Sequence, residues 1–278
     1  MLGRIAIHLS DDKACERRIE AGILLAKTHQ AELVGVYAPG GIIGRTYEES
    51  IMPPDVSKLL RSRYDEDRAA VEQAFADKTA AAGVRADWRV PKGETDAALS
   101  LHSRYCDLII MSKGGQSDNF SAFMPNLPEA VMMAAGRPVL MIPNFGAIET
   151  IGQRVLYCWD QRREAARAFS DAAPLLREAR ELAVLEIDRE ADTLQSQDLR
   201  DDDFSRYCVS LGYPKPKSLR RGSEGFGVGN VILNTATDLA SDLIVMGAYG
   251  HSRMRQWVMG GASRTLLSSM TVPVLLSN

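Results

Sequence analysis

Two groups of glycines towards the C-terminus have the spacing of an anion-binding loop. Gly247 and Gly250 follow the apolar run Leu243-Ile244-Val245-Met246, and Gly260 and Gly261 precede Ala262-Ser263 at the start of a helix-like stretch. Glycine has no Cβ and tolerates positive φ, so backbone amides in such a loop can close around an anion. The free N–H groups of a helix start point at the same place, and the helix dipole favours negative charge there. Strand, glycine loop and helix N-terminus together predict a phosphate site at the carboxyl end of a parallel sheet. The same residues can equally be turn glycines plus one glycine at a helix contact, and the pattern by itself leaves both readings open.

Other chemistry-bearing patterns are weaker. Neither G-x-x-x-x-G-K-[ST] nor G-x-S-x-G occurs. Gly225, Gly227 and Gly229 resemble part of a dinucleotide fingerprint, but no strand-like run leads directly into them, which predicts a loop before a helix. Asp201-Asp202-Asp203 lacks the alternate spacing of a calcium loop and reads as a helix start. His8, His29, His102 and His251 show no metal-ligand spacing, and Cys15, Cys106, Cys158 and Cys208 form no C-x-x-C pair, which predicts reduced thiols. A formal charge of −3 offers no long-range attraction for a polyanion, and Arg162-Arg163 and Arg220-Arg221 are too short to make a nucleic-acid face. The chain reaches Arg4 and then Asp11-Asp12 without an apolar stretch of signal-peptide length, and no run approaches a membrane span, so a cytoplasmic location is expected.

The elements that would position the loop come from an internal repeat. The stretch from Arg4 is echoed from Arg154: a basic residue, an apolar run, an acidic turn, a helix-like segment and a second apolar run. CDLIIMS, ending at Ser112, matches SDLIVMG, ending at Gly247, and GRPVLMIP matches TVPVLLSN. The N-terminal copy has the longer middle, placed around Arg45 to Arg61. Short apolar runs alternate with segments of helical period, which predicts parallel sheets covered by helices. Strands are expected at Arg4–Leu9, Glu32–Tyr37, Ala86–Val90, Leu108–Met111 and Val139–Ile142. Their counterparts are Val155–Trp159, Ala183–Ile187, Ser218–Arg221, Leu243–Met246 and Val272–Leu276. Asp11 and Asp12 are expected to cap the first helix, Ile19, Ile23 and Ala26 to form its buried stripe, and Met132 and Met133 to pack as core. Turn formers near Gly146 divide the chain into 1–146 and 147–278, each an α/β unit with an open five-stranded parallel sheet.

The spacing Gly247, Gly250, Gly260 and the text DLIVMGAYGHSRMRQWVMGGASRTLL followed by VPVLL resemble the universal stress protein family. The resemblance covers both halves in strand order, but its glycine signature lies only in the second. It implies a Rossmann-like fold of the adenine nucleotide alpha hydrolase kind. It further implies an ATP-binding stress-response or regulatory protein, with magnesium as a possible companion of the nucleotide. Carried over by position, Gly247, Gly250, His251, Gly260, Gly261, Ala262 and Ser263 would surround the phosphates, Asp160 would contact the nucleoside, and Ile187 would offer backbone groups to the adenine edge. One departure is that Gly261 and Ala262 stand before the first hydroxyl, Ser263, where many members place Ser or Thr directly after the third glycine. In the first half Ser10 takes the place of Asp160 and the loop after Ser112 is degenerate, so no tight ATP site is expected there. Family members pair through their last strands, which implies pairing of the two domains within the chain and a homodimer. The alternatives are slow ATP hydrolysis or phosphotransfer, and a dimerising interaction module that no longer binds nucleotide.

Overall fold

The computed structural model describes residues 1–39, 53–113, 126–188, 199–200, 202–248 and 261–278. They form two compact units, Met1–Asn144 and Phe145–Asn278.

The first unit runs β1 (Arg4–Leu9), α1 (Cys15–His29), β2 (Glu32–Tyr37), α2 (Pro54–Ala82), β3 (Ala86–Arg89), α3 (Thr95–Ser103), β4 (Leu108–Ser112), α4 (Leu127–Ala135) and β5 (Val139–Ile142). Its sheet order is β3-β2-β1-β4-β5, with every neighbouring pair parallel. Residues of β1, β4 and β5 are almost all buried, because helices cover both faces of a parallel sheet and the strands become continuous apolar runs. The buried face of α1 passes through Ile19, Gly22, Leu25 and Ala26, while Ile23 lies at its margin. A Cβ on Gly22 would strike the side chain of Ile7, so this glycine permits close helix–strand approach. Helix α2 opens with Pro54, whose missing N–H costs nothing at a helix start, and ends at Gly83 with φ 67°. Met132 is buried as expected, but Met133 is exposed on the outer side of α4.

The second unit repeats the plan: β6 (Arg154–Cys158), α5 (Arg163–Asp171), α6 (Ala173–Leu176), β7 (Glu181–Ile187), α7 (Asp203–Ser210), β8 (Lys217–Arg221), α8 (Val228–Asp238), β9 (Leu243–Gly247), α9 (Gly261–Ser269) and β10 (Val274–Ser277). Its order is β8-β7-β6-β9-β10, again parallel throughout. Both units thus have the doubly wound arrangement in which the strand order reverses between first and fourth strand, the place where open α/β sheets bind ligands. Asp202 and Asp203 lie at the start of α7, and Gly227, with φ 77°, at that of α8.

Register makes the repeat exact enough to match residues. Ile5 pairs with Leu33 and Leu108, and Val155 pairs with Leu182 and Leu243, so these triplets correspond. Both units also share one clamp. Asp107, just before β4, accepts hydrogen bonds from the backbone of Gly3 (2.6 Å) and Arg4 (3.0 Å). Asp242, just before β9, accepts them from Gly152 (3.1 Å), Gln153 (3.0 Å) and Arg154 (2.8 Å), and from the Thr150 hydroxyl.

Candidate functional site

In the second unit β6 ends on Cys158, paired with Leu185 of β7, and the Trp159 N–H still donates to the Leu185 carbonyl at 2.9 Å. Asp160 and Ile187, each two residues beyond that pair, therefore stand level at the carboxyl ends of adjacent strands. On the other side of β6, Tyr157 is in register with Val245, which brings Gly247 to the same end. In a parallel β–α–β unit the helix runs back along the sheet, so α9 presents its N-terminus, Gly261-Ala262-Ser263, at that end too. The structure thus brings together Asp160, Ile187, Gly247 and the backbone start of α9. Gly250, His251 and Gly260 lie outside the described residues.

Gly247 owes its identity to packing as well as to any ligand. A Cβ there would lie 2.5 Å from the Glu164 carbonyl carbon and 2.6 Å from the Ala165 nitrogen, so only glycine lets the N-terminal turn of α5 sit against the end of β9. Asp160 precedes that helix. Its Oδ1 accepts the Arg162 N–H at 3.0 Å, in the manner of a residue terminating a turn, while its side chain remains 57% exposed. Ile187 closes β7 opposite Arg221 and is half-buried.

An aromatic group supports this end of β6, and no sequence motif marks it. Trp159 stacks on Phe204 of α7 at 5.1 Å, Phe204 stacks on Tyr157 at 5.4 Å, and Phe169 meets Phe204 edge-on at 4.9 Å. The Tyr157 hydroxyl donates to the Ala165 carbonyl at 2.9 Å, satisfying its polar tip within the core. Burial, with the charge of Asp160 adding to it, pushes the Cys158 thiol up to about 12. All four cysteines are free thiols.

The corresponding end of the first unit is built quite differently. Asp12 is no helix cap: Ala14 precedes α1, and Asp12 Oδ1 instead accepts the Ala14 N–H at 2.7 Å within the turn. Asp11 likewise makes no capping bond to α1. The Asp12 carboxylate turns to Arg18, which is 1% exposed. All five N–H donors of that guanidinium are engaged. Nε donates to the His8 carbonyl at 2.6 Å, Nη1 to Asp12 Oδ1 at 3.0 Å and Ser112 Oγ at 2.5 Å. Nη2 donates to Ser10 Oγ at 3.1 Å and Asp12 Oδ2 at 2.5 Å. The Ser10 hydroxyl donates in turn to Asp12. Burial alone would raise the Asp12 carboxyl, but the charge of Arg18 and the hydrogen bonds of Arg18 and Ser10 outweigh it and hold Asp12 at about 2. Burial first, and the charge of Arg18 second, push His8 down to about 3, so the ring is neutral beside the Ala38 carbonyl, 3.0 Å from its Nε2.

Ser10 and Ser112 correspond by register to Asp160 and Gly247, and His8 to Cys158. The end of the first sheet where a ligand would sit is therefore closed by the protein's own buried ion pair. At the start of α4, Leu127 and Pro128 stand where α9 has Ala262 and Ser263, and Pro128 has no N–H to offer an anion.

Among the described residues no helix is long and apolar enough to cross a membrane, and no three His, Cys, Asp or Glu side chains converge as a metal site.

Comparison with known proteins places residues 152–278 in register with the universal stress protein family model. No curated protein matches the chain in sequence. Among solved structures, a universal stress protein from Archaeoglobus fulgidus aligns with a TM-score of 0.70 at 17% identity, over 98% of this chain and 96% of that one. A functionally unknown protein from Pseudomonas aeruginosa aligns with a TM-score of 0.57 at 15% identity, over 99% and 92%. At these identities the alignments show a common α/β fold. A shorter match, TM-score 0.39 at 17% identity over 52% of this chain and 99% of the other, is to a universal stress protein in complex with cAMP.

Proposed function

From the universal stress protein match of residues 152–278, we propose that this chain is an ATP-binding regulatory protein of that family whose second unit alone holds the nucleotide. The observation that carries the proposal is the end of β9. Gly247 closes it against the first turn of α5, level with Asp160 and Ile187, and α9 starts at the same end of the sheet. Helix N-termini gathered at strand ends favour a phosphate chain, and Asp160, largely exposed, has the exposed Arg162 at 4.0 Å as its cationic partner among the described residues. In this reading the backbone amides of Gly247, Gly250, His251, Gly260, Gly261, Ala262 and Ser263 take the phosphates, with Ser263 as the nearest hydroxyl. Asp160 takes the ribose, and the backbone of Ile187 takes the adenine edge. The first unit, sealed by Arg18 and Asp12, binds no nucleotide.

Calorimetric titration with ATP, with and without magnesium, tests this directly. The expected result is roughly one site per chain, lost in the Gly250→Val, Gly260→Val double variant and weakened in Asp160→Ala, with folding of each variant verified by circular dichroism. Absence of binding at millimolar ATP would remove the proposal and leave a protein-interaction role.

A further inference from the structure

The two units also differ at the opposite end of their sheets, where the strands begin. In the first unit Arg4, the first residue of β1, is paired across the sheet: its Nε lies 2.8 Å from Glu32 of β2, and its Nη2 3.7 Å from Asp87 of β3. Arg154 and Glu181 occupy the corresponding positions at the starts of β6 and β7. The third member is reversed. Val34 pairs with Asp87, and its counterpart Ala183 pairs with Lys217, so a cation replaces the carboxylate.

Around this reversal lies a hollow of about 230 Å³, lined by Arg154, Arg180, Lys215 and Lys217 with Glu181 as its one acidic residue. Arg154 directs its Nε to the Ala240 carbonyl at 2.6 Å rather than to a carboxylate. Among the described residues Arg180, Lys215 and Lys217 form no ion pair. The nearby Asp242 carboxylate, bonded to three backbone amides and the Thr150 hydroxyl, does not line the hollow. Four cations against one carboxylate, gathered around a cavity in a chain of formal charge −3, form a local attraction for anions that the overall charge conceals.

We infer that this hollow is a second ligand site, separate from the proposed nucleotide loop, for a small multiply charged phosphate-bearing anion of about the size of pyrophosphate. Its volume is below that of typical drug-sized pockets, which begin at roughly 300 Å³, so a whole nucleotide is too large to be enclosed. Arg154 and Arg180 can grip phosphate oxygens in the plane of the guanidinium, and Lys215 and Lys217 add point charge.

The test is calorimetric titration with inorganic pyrophosphate at low salt, using the full chain with Gly250→Val and Gly260→Val so that the loop does not contribute. Binding should persist in that background, weaken with added salt, and fall by roughly tenfold or more on adding Lys217→Asp, the residue the first unit carries at this position. In the wild-type chain, pyrophosphate should shift the NMR amide signals of residues 180–183 and 215–218 in addition to any shifts at the loop. Undiminished affinity in the Lys217→Asp protein, or no amide shifts in these segments, would overturn the inference. So would amide shifts in these same segments produced by a short single-stranded RNA at concentrations where pyrophosphate produces none.

Discussion

Two copies of one fold occupy their switch points in opposite ways. In the first unit Arg18, Asp12, Ser10 and Ser112 make a closed polar network in which Arg18 and both serines are buried, the Asp12 side chain is 4% exposed, and every guanidinium donor is bonded. In the second unit the register equivalents of Ser10 and Ser112 are Asp160 and Gly247, and α5 buries Glu164, Ala165, Ala168 and Phe169 but no arginine, so the Arg18 network has no counterpart there. The carboxylate has moved from an interior position, where it neutralises an arginine, to an exposed one at the strand end. The comparison teaches that two α/β units can keep the same strand order and the same Asp107/Asp242 clamp while one makes of its switch point an internally bonded polar network, a conversion of open strand ends into structure. A buried ion pair is suited to that conversion only when every donor is met, because each charge taken out of water costs several kcal/mol if left unpaired.

The largest expected effect is therefore on the first unit. Arg18→Ala strands the Asp12 carboxylate in the interior and should destabilise that unit by about 3–5 kcal/mol. Regional hydrogen exchange should show β1 and β4 losing protection while β6 and β9 keep theirs. Replacing the pair together, Arg18→Met with Asp12→Leu, should recover most of the loss, and a cost under about 1 kcal/mol for the single change would mean the network is ornamental.

Next comes the strand-end position itself. Gly247→Ala drives a methyl group into the backbone of α5 and should destabilise the second unit by about 1–3 kcal/mol. Ser112→Gly, the reciprocal change, removes one acceptor from Arg18 and should cost about 1 kcal/mol. Equal losses in denaturant titrations of the two variants would break the claim that the two ends are built differently.

A graded effect separates the units in acid. His8 has a folded value of about 3 against 6.5 when unfolded, so the unfolded chain binds the extra proton between those values. Its contribution is intact above pH 6.5 and declines as the pH falls towards 3. Asp12 follows, intact above 3.8 and lost as the pH falls through about 2. The second unit has Cys158 where the first has His8, and a neutral thiol gains no charge in acid. Exchange measured at pH 7, 5 and 4 should show protection falling in β1 and α1 before β6 and α5, and His8→Cys should reduce that difference. The smallest effect is expected from Asp87→Lys. It removes the carboxylate that pairs with Arg89 at 2.8 Å and with Arg4 at 3.7 Å, both partly open to solvent, and should change stability by about 1 kcal/mol or less. A pyrophosphate affinity gained by that variant at the first unit would sharpen the comparison at the strand starts.

Most of the fold was legible in the sequence because parallel strands covered on both faces become unbroken apolar runs. Three of the ten strands, β1, β2 and β5, have the expected bounds, and the others differ by one or two residues where hydrogen bonding, not hydropathy, sets the limit. β7 starts at Glu181 rather than Ala183, since Arg154 pairs with Glu181 before the apolar run begins. β10 starts at Val274 rather than Val272, after Pro273, which contributes a carbonyl to Ile244 but has no N–H. β3 stops at Arg89, β4 and β9 extend to Ser112 and Gly247, β6 spans Arg154–Cys158, and β8 gains Lys217. Ile23 and Met133, both apolar, turned out marginal and exposed because helix phase is set by what the sheet offers opposite them.

The amino-acid sequence by itself determined the repeat, the parallel α/β architecture and the position of the glycine-bearing strand end, since these rest on local period, apolar runs and backbone freedom. It also located Asp160, Ile187 and Gly247 at strand ends. Only the tertiary structure decided what lies around them. An arginine four residues into a helix looks like a surface charge until Ser10, Asp12 and Ser112 are folded about it, and an aspartate or lysine at the third strand is indifferent until the sheet sets it beside an arginine. Charge compensation is a property of distances between residues far apart in the chain, and register, not sequence proximity, creates those distances.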